Sequence, residues 1–181
     1  MDRSHFARAQ SALGALIVLE TCNERQDLVA LLFSETELDG AARPLLILPK
    51  VPEFEEKLSS ALRQLIGDFY WAVVDAFGRR PHRLFAKRDL TARDASTVGR
   101  DIAALVRACG HDLTLETLPA VPLNLLLLCD PAQPFEGLAG LMGFAATRTF
   151  INRYRPLLNM RAPQALANAL KQQSTAEPKH K

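Results

Sequence analysis

The 181-residue chain predicts a mixed α+β fold, on three observations. Short runs of β-compatible residues, separated by polar turns, fill the first fifty positions. One long stretch, Glu53–Phe77, repeats apolar residues every three or four positions. Behind it, apolar or alternating runs interleave with amphipathic ones. The expected order is an N-terminal antiparallel β-meander, a long amphipathic helix, alternating strand and helix, then C-terminal helices.

The meander is read from Ala12–Glu20, Leu28–Phe33 and Arg43–Lys50, with Asn23–Asp27 as the first turn and Asp39-Gly40 as the second. A continuous helix from Ser11 to Phe33 is the rival reading, because short apolar runs fit both periods. The turn chemistry favours strands. In the long helix, Phe54, Leu58, Leu62, Leu65, Phe69 and Val73 share one face. Pro52 and the acidic Glu53, Glu55 and Glu56 suit its start, and Gly78 its end.

A short strand, Arg83–Ala86, comes next. A helix from Asp94 to Cys109 follows, with Val98, Ile102, Leu105, Val106 and Cys109 inward and Gly110 as its stop. Asp112–Leu118 alternates as a half-buried strand does. Leu123–Cys129 is apolar except for Asn124, and reads as a central strand or a buried helical turn. Pro134 opens a helix with Leu138, Leu141, Met142, Ala145 and Thr149, and Pro163 opens another with Leu166 and Leu170.

The expected organisation is one globular domain over residues 1–171 and a flexible polar tail over 172–181. Three cysteines (Cys22, Cys109, Cys129) are too few for a disulfide framework and read as small buried hydrophobes of a reducing compartment. The start lacks the pattern of an export signal, and no run approaches the length of a membrane span. A cytoplasmic location is therefore expected.

Charge is uneven along the chain. Residues 1–78 hold 7 Lys+Arg against 12 Asp+Glu, while residues 79–107 hold 8 against 3. Clustered cations are the footprint of phosphate binding, which makes Arg79, Arg80, Arg83, Lys87, Arg88, Arg93, Arg100 and Arg107 the candidate nucleic-acid or partner-binding residues. The competing reading is a solvated surface that balances the acidic front.

No catalytic or metal-binding signature appears, and no cofactor is expected. Gly137–Gly140 lies within a helical pattern and lacks the lysine of a phosphate loop. The four histidines are dispersed, with His111 placed as a helix-end residue. A Cys109–His111 nucleophile pair is disfavoured by the inward phase read for Cys109.

The order strand–strand–strand–helix–strand–helix–strand–helix resembles the ribonuclease H-like fold of integrases and transposases. The segment Asn152-Arg153-Tyr154-Arg155-Pro156, followed by Ala162-Pro163 and Leu166, is similar to one that closes many such transposases. That resemblance implies a metal site of acidic residues on the first strand, the fourth strand and a late helix, where only Glu20, Asp89 and Glu136 are available. Lys87-Arg88 stands where an acidic centre belongs, so the implied core is a degenerate one without metal-dependent cleavage.

The leading expectation is a non-enzymatic regulatory or assembly module that binds another macromolecule, foremost a protein or a second copy of itself. The alternative is a nucleic-acid-binding protein using the basic block at 79–107, with weak, sequence-blind affinity.

Overall fold

The computed structural model describes residues 3–22, 25–38, 41–49, 51, 53–129, 135–141 and 146–158. The chain divides into two compact units, Met1–Leu118 and Pro119–Lys181. Among the described residues the fold is mixed α+β: seven helices and one two-stranded antiparallel sheet.

The first unit begins with helix α1 (Arg3–Thr21), where the first strand of the meander was expected. Phe6, Gln10, Leu13 and Ile17 are all buried, at the i, i+4, i+7, i+11 spacing of a helix face. Ser11 and Thr21 turn their hydroxyls back onto the carbonyls of Ala7 and Ile17, at 3.0 and 2.6 Å, so neither exits the helix. The helix ends at Cys22, whose φ of 56° is left-handed and whose N–H reaches the Val18 carbonyl at 2.8 Å. At Gly14 a Cβ would meet Phe85 Cζ at 2.6 Å and Ile102 Cδ1 at 2.8 Å, so only glycine lets α1 approach this closely.

Helix α2 (Arg25–Ala30) then takes up half of the second expected strand and buries Leu28. The hairpin lies further on, as β1 (Leu32–Leu38) against β2 (Ala41–Ile47). Phe33 pairs with Leu46 and Glu35 with Pro44. The Asp39-Gly40 turn falls outside the described residues. With a helix first and a single hairpin after it, the ribonuclease H-like order of elements is not met.

Helix α3 (Ser60–Phe77) starts later than expected, because Glu55–Lys57 forms a separate 3₁₀ turn that buries Phe54 and Leu58 beside it. Ser59 caps it: its hydroxyl accepts the Leu62 N–H at 3.1 Å. Glu20 in turn accepts both the N–H and the hydroxyl of Ser59 at 2.7 Å. Gly78, with φ 65°, closes the helix as expected. The buried face is Leu62, Ile66, Phe69, Tyr70 and Val73, and Leu65 is 48% exposed, contrary to expectation. Leu65 lies about 80° from the centre of that face.

The segment Arg83–Ala86 makes only isolated bridges, Leu32 to Arg83 and Ala86 to Ala92. Helix α4 (Ala95–Ala108) opens on Asp94, whose carboxylate accepts the N–H groups of Ser96 and Thr97 at 3.0 and 2.9 Å. The Thr97 hydroxyl and these N–H donors hold that carboxyl well below the usual range. Cys109 is exposed rather than inward, one residue past the helix, and no hydrogen bond joins its thiol to His111 among the described residues. Residues 112–118 form no strand. Thr114 and Thr117 bond each other across a turn that buries Leu115 and Leu118.

The second unit holds α5 (Ala120–Cys129), α6 (Phe135–Leu141) and α7 (Thr147–Leu158). Thus Leu123–Cys129 is helical, with the Asn124 amide bonded to the Ala120 carbonyl at 2.7 Å. Leu123, Leu138, Phe150 and Tyr154 form its core. Met142, Ala145, the helix expected after Pro163 and the tail over 172–181 lie outside the described residues. No helix among those described is long and apolar enough to cross a membrane.

Tyr70 links hairpin to helix, its ring 5.0 Å from that of Phe33 and its hydroxyl donating to Glu35. Burial, then the Glu35 carboxylate, pushes its pKa from 10.0 up to about 12. A raised pKa means that the folded state holds the proton more tightly. This contribution is complete below pH 10.0 and is lost as pH rises through about 12. The melting temperature should therefore fall more steeply over this window in the parent than in Tyr70→Phe. Parallel slopes would contradict the assignment.

Candidate nucleic-acid interface

The basic block occupies the loop after α3 and the outer face of α4, and the structure divides its eight residues by what holds them. Arg80 Nη1 lies 2.6 Å from Glu35 on β1. Arg83 donates to the Val29 carbonyl at 3.3 Å. The Arg93 side chain, only 10% exposed, is clamped between Gln10 Oε1 at 3.0 Å and the Asp101 carboxylate. Gln10 itself is buried, and its amide nitrogen donates to the Ala86 carbonyl at 2.9 Å. These three arginines brace the fold, and all their partners but Asp101 sit far away in sequence.

Lys87 and Arg88 are held differently. They open a tight turn closed by the Lys87 N–H on the Thr91 carbonyl at 2.7 Å and the Leu90 N–H on the Lys87 carbonyl at 2.9 Å. Asp89 accepts the Thr91 N–H at 3.0 Å and its hydroxyl at 2.6 Å, bonds that depress the Asp89 pKa. Leu90 has a φ of 65°, a left-handed conformation that leucine rarely takes, while its side chain packs against the core. The turn is therefore fixed at both ends.

Both cations are exposed and neither makes an ion pair among the described residues, although the charge of Lys87 is felt by Asp89. They edge a groove of about 220 Å³ floored by Phe6, Phe77 and Ala86, with Arg93 behind them. Arg79, two residues beyond Phe77, is exposed and also free of ion pairs among the described residues. The exposed Arg100 rests on the Thr97 hydroxyl at 3.3 Å, and Arg107 lies 3.7 Å from the solvent-exposed Asp112. No described contact joins Arg100 or Arg107 to the Lys87–Arg88 turn.

Two of the three acidic residues that a metal centre would use are engaged within the first unit. Glu20 brackets Ser59, Asp89 stabilises the turn, and the exposed Glu136 belongs to the second unit. Among the described residues no group of three His, Cys, Asp or Glu side chains is placed to hold a metal ion. Charge counting could not find Gln10, Phe77 and Thr91, which shape this surface without carrying charge.

No family model matches the chain, and no curated protein does. A solved structure titled "Crystal structure of XerA recombinase" superposes with a TM-score of 0.54 at 14% identity, over 98% of this chain and 64% of that one. The chain is similar in fold to XerA recombinase. It spans 64% of that chain's length, and the likeness is one of fold alone.

Proposed function

We propose that this chain is a non-catalytic nucleic-acid-binding protein of the cytoplasm that contacts the phosphate backbone through the Lys87–Arg88 turn and Arg79. The observation that carries the reading is the turn itself. Two adjacent cations without ion pairs among the described residues stand on a turn held by four hydrogen bonds, so little loop ordering is needed before phosphates are met. The fold likeness to a protein named a recombinase supports a nucleic-acid partner. Arg80, Arg83 and Arg93 leave the contact set, because binding through them would first break buried or paired contacts.

Phosphate contacts carry no sequence information, and the proposed contact set stands on a turn and on the loop after α3, not on a helix. The expected result is binding of a fluorescent duplex, read by anisotropy, that unlabelled duplex of scrambled sequence competes away equally well. Retention of one sequence against that competitor would replace this reading with a sequence-specific one.

A second reading, binding to a protein or to another copy, has its own support. Leu125 and Leu126 stand exposed side by side on α5. Light scattering at rising concentration tests it: a mass that stays monomeric removes self-association.

A further inference from the structure

We infer that the cleft between β2 and α3 is a binding site for a nucleoside phosphate, with the base on Trp71 and the phosphate on Arg43 and Arg63. The site is separate from the Lys87–Arg88 turn and does not rest on it. The cleft has a volume of about 500 Å³ and is lined by Arg43 and Pro44 from β2, and by Arg63, Gln64, Asp68 and Trp71 from α3.

Its chemistry is ordered along the helix. Arg63 is near the N-terminal end, and it and Arg43, from β2, both act on Glu55. Among the described residues the Arg43 side chain is tied only by a long, partly exposed pair with Glu55 at 3.8 Å. The Arg63 Nε–H is buried and has no hydrogen-bond partner among the described residues, and Arg43 and Arg63 share the field of one carboxylate, Glu55, two cations against one anion. Glu20 already serves the Ser59 cap, so the anion would be held by the two guanidinium groups rather than by the helix end.

Trp71 marks the other end. It is 38% exposed, and its ring stands edge-on to that of Tyr70 at 5.1 Å. An exposed indole is a stacking platform for a base. Between the two ends, Gln64, next to Arg63, donates to Asp68, one turn before Trp71, at 2.9 Å, a paired amide and carboxylate that still offers hydrogen-bonding groups to a base edge. The charge of Asp68 also disfavours phosphate at the Trp71 end. Arg63 and Trp71 are eight residues apart, about 12 Å along the axis, close to the length of a nucleoside monophosphate.

Gly67 lies between them on the cleft floor. A glycine inside a helix is unfavourable relative to alanine, and here packing does not demand it. A Cβ would meet only Pro44 Cγ, at 3.9 Å, an ordinary contact. What its absence does is keep the floor flat.

Trp71 is the sole tryptophan of the chain, so its fluorescence reports the cleft directly. Titration with adenosine monophosphate should quench it saturably, and adenosine should bind at least about tenfold more weakly for want of the charge-assisted contacts. Arg63→Gln should weaken the nucleotide about tenfold, and Gly67→Leu should remove saturable quenching while circular dichroism stays that of the parent. A short single-stranded oligonucleotide that saturates at lower concentration than the mononucleotide would identify a strand as the source of the ligand. The double variant Lys87→Gln, Arg88→Gln should leave the mononucleotide titration unchanged, which separates this site from the duplex-binding turn. Absence of saturable quenching by both ligands, or quenching indifferent to Arg63→Gln and Gly67→Leu, overturns the inference.

Discussion

Phe69→Asp is expected to abolish the cooperative melt of the first unit, while Leu65→Asp should melt within about 3 °C of the parent. The two residues lie one turn apart on α3 and differ in what surrounds them. Phe69 is 6% exposed, stacked on Phe6 at a centroid distance of 5.9 Å, and part of the main core. Replacing it removes a buried ring and leaves a carboxylate with no partner. Each loss costs several kcal/mol, against a typical domain stability of about 5–15 kcal/mol. Leu65, at 48% exposure, leaves an aspartate hydrated. Thermal melts followed by circular dichroism decide it. Equal destabilisation by the two changes would show that the buried arc of α3 has been placed wrongly.

Lys87→Gln together with Arg88→Gln is expected to weaken duplex binding at least about tenfold, uniformly across sequences, with no change in melting. Neither side chain makes an ion pair among the described residues, so the fold loses only the solvent-screened attraction between Lys87 and the exposed Asp89 when their charges go. Arg93→Gln is the instructive contrast. It strips Gln10 and Asp101 of their shared partner, so it should lower the melting temperature whether or not nucleic acid is present. Anisotropy and melting measured on the same preparations separate the two effects. An Arg93→Gln variant that weakens binding at unchanged stability would return Arg93 to the contact set.

Some local signals were legible. Gly78 does stop α3, the helix expected from Asp94 does start there, and the long apolar repeat of α3 is a helix, while the Ser59 cap went unread. The uniformly apolar run within α1 carried no such signal. Its helical period emerges only when buried Gln10 is counted with Phe6, Leu13 and Ile17 as inward-facing, and a polar residue is not expected there without its partners Ala86 and Arg93. The basic block was legible as charge but not as two classes of cation. Glu35, Gln10 and Asp101 set that division, and two of these are brought in from more than forty residues away. The β2–α3 cleft left no trace in the periodicity, because Trp71 and Gly67 fall on the face of α3 away from its core.

The most direct measurement is the salt dependence of duplex affinity for the parent chain and for the Lys87→Gln, Arg88→Gln variant. Each phosphate contact releases condensed counterions, so log affinity falls linearly with log salt by about 0.9 per contact on duplex DNA. Arg79, Lys87 and Arg88 as the contact set predict a slope near −3 for the parent and near −1 for the variant, each taken as an order-of-magnitude value. A parent slope near zero, or one that the double variant leaves unchanged while remaining folded, would contradict the proposal that this turn binds the nucleic-acid backbone.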